Sequence, residues 1–154
     1  MNATLDTTLK DAAVATFEQM VFLLPDTPPD AVQRSRMVQA VATIEFSGPA
    51  AGLLQVHACE GLLPRLTANM MGQDTAPESL QLDALGEIAN IICGQIFPHL
   101  EPLAGFRQQP PRVDTVATGR GGAHGGQDRP AASVQLGVEG SRADVVLYLF
   151  AAAA

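Results

Sequence analysis

Glu87 and Asn90 are the two side chains in this sequence whose types and spacing could do joint chemistry. They lie in the run Asp83-Ala84-Leu85-Gly86-Glu87-Ile88-Ala89-Asn90-Ile91-Ile92-Cys93-Gly94. Leu82, Leu85, Ile88, Ala89, Ile92 and Ile96 have the spacing of one buried helix face. At about 100° per residue, Asp83, Glu87, Asn90 and Gly94 share the opposite side. A carboxylate and a carboxamide thus stand one turn apart on a rigid element. They cannot work as an acid/base pair, because a carboxamide does not titrate. No Ser/His or Cys/His arrangement lies near them to supply a nucleophile. An Asn can hold a water molecule, donating through its nitrogen and accepting through its oxygen, and a Glu can pair with an incoming Lys. Such a pair docks a partner and positions water. That suits phosphoryl transfer, where catalysis is mostly positioning and electrostatics. A glycine inside a helix costs about 1 kcal/mol relative to alanine. Gly86 and Gly94 therefore each call for a reason, either close approach by another molecule or close packing.

The surrounding pattern predicts the elements that must hold this helix. A first helix is expected over 7–23, ended by Pro25 and the Pro28-Pro29 pair. Strands are expected over 37–46 and 51–58, joined as a hairpin by Ser47-Gly48-Pro49. A second helix over 60–71 carries Pro64 in its first turn and Gly72 as a left-handed cap. Thr75 and Glu78 read as a capping box for the helix with the polar stripe, which should stop near Phe97, at Pro98. A proline-led strand over 113–117 follows. Then comes a flexible glycine-rich connector, 119–126 at its centre, containing Gly119, Gly121, Gly122, Gly125 and Gly126. It lacks the Gly-Lys-Ser/Thr ending of a phosphate loop. Strands over 131–138 and 143–150 flank a turn at Glu139-Gly140-Ser141. This order implies an α+β fold in one domain spanning 1–154, an antiparallel sheet with helices packed on one face.

Composition narrows the function classes. The chain has 154 residues, 47% hydrophobic and 16% charged, enough to bury a sizeable core. Its formal net charge is −7, and its nine Lys and Arg are scattered, so nucleic acid and anionic membranes are poor partners. No apolar run has membrane-spanning length and the N-terminus has no signal-peptide pattern, so a cytoplasmic location is expected. Cys59 and Cys93 form no CxxC pair and read as reduced structural thiols. His57, His99 and His124 are far apart in sequence, and no bound metal is expected.

The stripe and its flanks resemble the CheX/CheC/FliY phosphatases of bacterial chemotaxis. The resemblance rests on Asp83-x-x-x-Glu87-x-x-Asn90, on Phe46-Ser47-Gly48-Pro49, on Leu66-Thr67-Ala68-Asn69-Met70-Met71-Gly72 and on Gly86 to Gly94. An N-terminal helix containing Phe17-Glu18-Gln19-Met20 and the proline-led strand add to it. The motif occurs once, as in CheX; CheC-type members usually carry two copies. The resemblance implies a CheX/CheC-like fold and a phosphorylated CheY-like receiver domain as partner. The receiver's phospho-aspartate would be hydrolysed with Mg²⁺ bound in the receiver, and this chain would hold no cofactor. Asn90 would orient the attacking water and Glu87 would pair with the receiver's lysine. Asp83 and Gly94 would lie in the docking surface. A homodimer with a continuous sheet is also implied. The alternative is a non-catalytic module of the same fold that sequesters a receiver or serves in a signalling or motor complex.

Overall fold

The alternating residues on either side of Ser47-Gly48-Pro49 pair as the central hairpin, β1 (Val38–Ser47) with β2 (Ala51–Cys59). In this computed structural model, residues 3–100, 105–116 and 129–150 are described. Around the hairpin stand α1 (Ala3–Thr16), α2 (Ala31–Arg34), α3 (Leu62–Met71), α4 (Glu78–Leu100), β3 (Arg107–Gln108), β4 (Arg112–Thr115), β5 (Ala132–Val138) and β6 (Ser141–Phe150). All strand pairs are antiparallel, in the order β3-β1-β2-β6-β5, with β4 also paired to β1. The expected α+β class holds. Strand periodicity sends Ala40, Ala42, Ile44, Phe46, Leu54, Val56, Val145 and Leu147 to one face, where α1, α3 and α4 close a single hydrophobic cluster over them.

Local chemistry sets several boundaries. Gly72 closes α3 at φ 69°, as its lack of Cβ allows. Glu139 and Gly140, at φ 42° and 82°, form the tight β5–β6 turn, and Ser141 already belongs to β6. The first helix begins earlier than expected and does not run evenly to 23. The Thr16 hydroxyl bonds back to the Ala12 carbonyl, and residues Phe17–Val21 widen into a π-helical turn that ends at Phe22, φ 61°. The capping box predicted at Thr75 is absent among the described residues. α4 starts from the Pro77 carbonyl, which accepts from the amides of Leu80 and Gln81. α4 also continues through Pro98 to Leu100. A proline there leaves the carbonyl of Gly94 without its helical partner, and Gly94 is exposed, so water can satisfy it. The glycine-rich segment 119–126 lies outside the described residues.

α2 was not anticipated. It is a single turn built on a capping box. The Gln33 amide donates to Asp30 Oδ1 (2.8 Å), and the Asp30 amide donates to Gln33 Oε1 (2.7 Å). It lies on the sheet face opposite the main helices, where the buried Gln33 side chain fills the place a side chain at Gly137 would take. The Arg142 guanidinium ties α2 down. It donates to the Gln33 and Arg34 carbonyls at 3.3 and 2.5 Å and to both oxygens of Asp144 at 2.8 and 3.2 Å. A cation at a helix C-terminus is favourable, and a bidentate carboxylate offsets its desolvation. Across from Asp144 on β2 stands His57, whose Nε2 lies 3.1 Å from Gln55 Oε1.

Two outcomes follow from this packing. Gly52 sits where a Cβ would run into the Tyr148 carbonyl oxygen and come within 2.8 Å of the Phe46 ring, so neither backbone nor aromatic ring can yield cheaply. Gly52→Ala should lower unfolding free energy by about 3 kcal/mol in urea denaturation. Burial lowers the His57 pKa from 6.5, against a smaller opposing pull from Asp144 and with a further push from Arg142. The unfolded chain therefore takes up a proton that the folded chain refuses. Stability should be flat above about pH 7 and fall as pH drops below about 6.5. Thermal melts of His57→Gln should show a smaller fall over the same window.

Candidate functional site

α4 owes its orientation to its apolar positions. Ala84, Leu85, Gly86, Ile88, Ala89, Ile92, Cys93 and Ile96 are buried against α1, α3 and the sheet. The remaining strip faces outward and brings the four predicted residues together. Asp83, Glu87 and Gly94 are exposed and Asn90 is half-buried. Neither Asp83 nor Glu87 has an ion-pair partner among the described residues. Their carboxylates face solvent as unneutralised charge.

The two halves of the strip differ in cover. The N-terminal half is open. Over the C-terminal half runs β3, paired to β1 at Phe46↔Gln108 and Ser47↔Arg107, with the Gln109 amide donating to the Glu45 carbonyl at 2.8 Å. Phe106 stacks on Phe97 of α4, with centroids 4.7 Å apart and planes at 6°. Phe46 meets both rings edge-on at 5.3 and 6.0 Å. Beside this cluster, Gln108 Nε2 donates to the Asn90 side-chain oxygen and, at 3.1 Å, to the Asn90 main-chain carbonyl. Sequence reasoning missed Gln108. Eighteen residues and two prolines separate it from Asn90, and only the pairing of β3 with β1 brings it back over the helix.

The two helix glycines have different reasons. A Cβ on Gly86 would lie 3.3 Å from both Pro111 and Val113, so this glycine lets β4 pack closely on α4. A Cβ on Gly94 would meet only Gln108 Oε1, at 3.8 Å. Cys93 lies on the buried side, its thiol pushed up to about 12 by desolvation, and Cys59 is pushed up to about 11 for the same first reason. Neither is a nucleophile at neutral pH. Among the described residues, no three His, Cys, Asp or Glu side chains come together to hold a metal, and no helix is long and apolar enough to cross a membrane.

Fold and strip together define an α+β protein with an acid–amide helix face turned outward. The protein-family model for the chemotaxis phosphatase CheX matches residues 40–120, a little over half of the chain, and the chain belongs to that family. Solved structures agree on the fold. The chemotaxis protein CheX from Vibrio vulnificus superposes with a TM-score of 0.77 at 18% identity, covering 96% of this chain and 97% of the other. CheX from Desulfovibrio desulfuricans gives 0.75 at 18%, covering 96% and 99%. The CheX of a CheX-CheY-BeF3-Mg²⁺ complex from Borrelia burgdorferi gives 0.65 at 11%, covering 94% and 97%. No curated protein matches the sequence significantly.

The contrast between the glycines can be measured. Gly86→Val should destabilise the fold by about 2 kcal/mol through overpacking against Pro111 and Val113. Gly94→Ala should leave stability unchanged or raise it by up to about 1 kcal/mol through helix propensity. Chemical denaturation of the two variants side by side gives the comparison.

Proposed function

We propose that this protein is a phosphatase for the phospho-aspartate of a CheY-like response regulator, with Asn90 and Glu87 as its working side chains. The observation that supports this most directly is the pair's setting in a CheX-family chain. An unpaired, exposed carboxylate and a half-buried, hydrogen-bonded carboxamide share one outward strip of a buried helix. The Borrelia structure, a CheX complexed with a CheY, lends the partner class.

On this reading Glu87 pairs with the active-site lysine of the docking receiver, and Asp83 and the bare backbone at Gly94 fill out the contact. Asn90 then holds a water in line with the phosphorus. The water oxygen bonds to phosphorus, the bond to the aspartyl oxygen breaks, a water proton leaves with inorganic phosphate and the receiver's carboxylate is regenerated. Mg²⁺, held by the receiver, supplies charge neutralisation on the phosphoryl oxygens. This chain contributes position and orientation, and on this reading it works in the cytoplasm, beside the receiver. A homodimer belongs to the same proposal. On β5, the outer edge is partly occupied, by Asp6 at the Ser133 amide and by Asp26 at Gly137. The β4 edge carries no further strand among the described residues and is the better candidate for a continued sheet.

The test is loss of acyl phosphate from a phosphorylated CheY-type receiver in Mg²⁺ with sub-stoichiometric amounts of this protein. Catalytic acceleration is expected. Asn90→Ala should lower kcat about 100- to 1,000-fold with binding largely kept. Glu87→Ala should weaken both binding and turnover. Wild-type rates in both variants refute the site. Unchanged or slowed decay with the unaltered protein supports the alternative, a binding module that sequesters the receiver.

A further inference from the structure

Gln108 makes the one side-chain hydrogen bond to the Asn90 carboxamide among the described residues, and its two hydrogen bonds carry directional information. A carboxamide presents either its oxygen or its nitrogen to a neighbour, and the two faces are nearly the same shape. A main-chain carbonyl removes the ambiguity. The Asn90 carbonyl can only accept, so the group of Gln108 that reaches it must be the NH₂. The same nitrogen reaches the Asn90 side chain, so that side chain must turn its oxygen inward to accept the second proton. The Asn90 Nδ2 is then the outward end, and it makes no hydrogen bond among the described residues.

We infer that Gln108 is a positioning residue: it locks the Asn90 carboxamide in the orientation that presents Nδ2 to the attacking water. The inference rests on the proposed role of Asn90 in phospho-receiver hydrolysis. Left alone, the last torsion of an Asn side chain is broad and roughly two-fold, so half of its orientations would offer the wrong atom. Gln108 is itself held at Cα by its register with Phe46, on one side by the Gln109–Glu45 hydrogen bond and on the other by the Phe46–Phe97–Phe106 cluster. Gly94 does not crowd the Gln108 amide, whose Oε1 would be in ordinary contact, at 3.8 Å, even with a Cβ there. With Nδ2 outward, Asn90 donates to the oxygen of the water. One lone pair of that oxygen is engaged, and the other can face phosphorus.

Two variants test this by different routes. Gln108→Glu keeps the shape but, when ionised, offers only acceptors to the two Asn90 oxygens. Gln108→Leu keeps most of the volume and offers nothing. Both should hold the receiver loaded with BeF₃⁻ and Mg²⁺ within about 2-fold of wild type and melt at nearly the same temperature, while kcat falls roughly 10- to 100-fold. The Glu variant should recover part of its loss, relative to wild type, as pH is lowered from about 7 towards 5, because a protonated carboxyl regains one donor. The Leu variant should not. Wild-type kcat in Gln108→Glu overturns the inference, as does a loss that tracks receiver affinity or melting temperature, or one with the same pH profile in both variants. Asn90→Ala is assayed beside them. If it is inactive while Gln108→Glu is not, only the role of Gln108 fails, and if it is fully active the proposed function fails first.

Discussion

The rotational setting of α4 about its own axis is the constraint on which the site depends. Ala84, Leu85, Ile88, Ala89, Ile92 and Ile96 are all at or near zero exposure. Each fully buried Leu or Ile contributes about 2 kcal/mol. A turn of the helix by one residue, about 100°, would bring some of these into water and push Glu87 towards the core. An unpaired carboxylate in an apolar interior costs several kcal/mol more. The polar strip therefore faces outward because its neighbours face inward, and Glu87 and Asn90 need no contacts of their own to be aimed. Small residues refine the depth. Gly86 brings the helix down on Pro111 and Val113, so the strip starts from a backbone seated close to the sheet.

Aim is not the same as atomic orientation, and the second comes from the sheet edge. Gly52 leaves space for the Phe46 ring, Phe46 packs on Phe97 and Phe106, and Phe106 is two residues from Gln108. This chain of contacts runs from the β1–β2 hairpin across to α4 and ends on a hydrogen bond to Asn90. It joins residues 46, 52, 90, 97, 106 and 108, which share no local pattern. β3 is two residues long, and it holds its place through packing and pairing rather than propensity.

The opposite sheet face obeys a different rule. There Val41, Leu53 and Tyr148 are buried beside polar groups, and each polar group is kept by a partner: Arg142 by Asp144 and the last carbonyls of α2, Gln33 by Asp30 and Asp26, the half-buried His57 by Gln55. No buried side-chain donor or acceptor is left unpaired among the described residues. This network explains a helix that periodicity does not reveal. Four residues are too few to show a 3.6-residue repeat, and α2 forms because its caps and Arg142 satisfy its ends.

Periodicity and residue type by themselves determined the α+β class, the long strands, the α3 cap at Gly72 and the outward strip with Glu87 and Asn90. These are properties of segments a few residues long, where a repeat of 2 or 3.6 reports directly which side meets water. The end of α4 was misjudged because the rule that proline stops a helix assumes its orphaned carbonyl has nowhere to go, and here Gly94 is exposed. The start differs because the Thr75 side chain makes no cap among the described residues, and the first helical hydrogen bonds run from the Leu80 and Gln81 amides to the Pro77 carbonyl, so the helix begins at Glu78. Only the tertiary structure decided that Gly86 serves packing and that Gln108 reaches Asn90. Such contacts join residues that are distant along the chain, and their energies depend on how several elements come together, which no local pattern records.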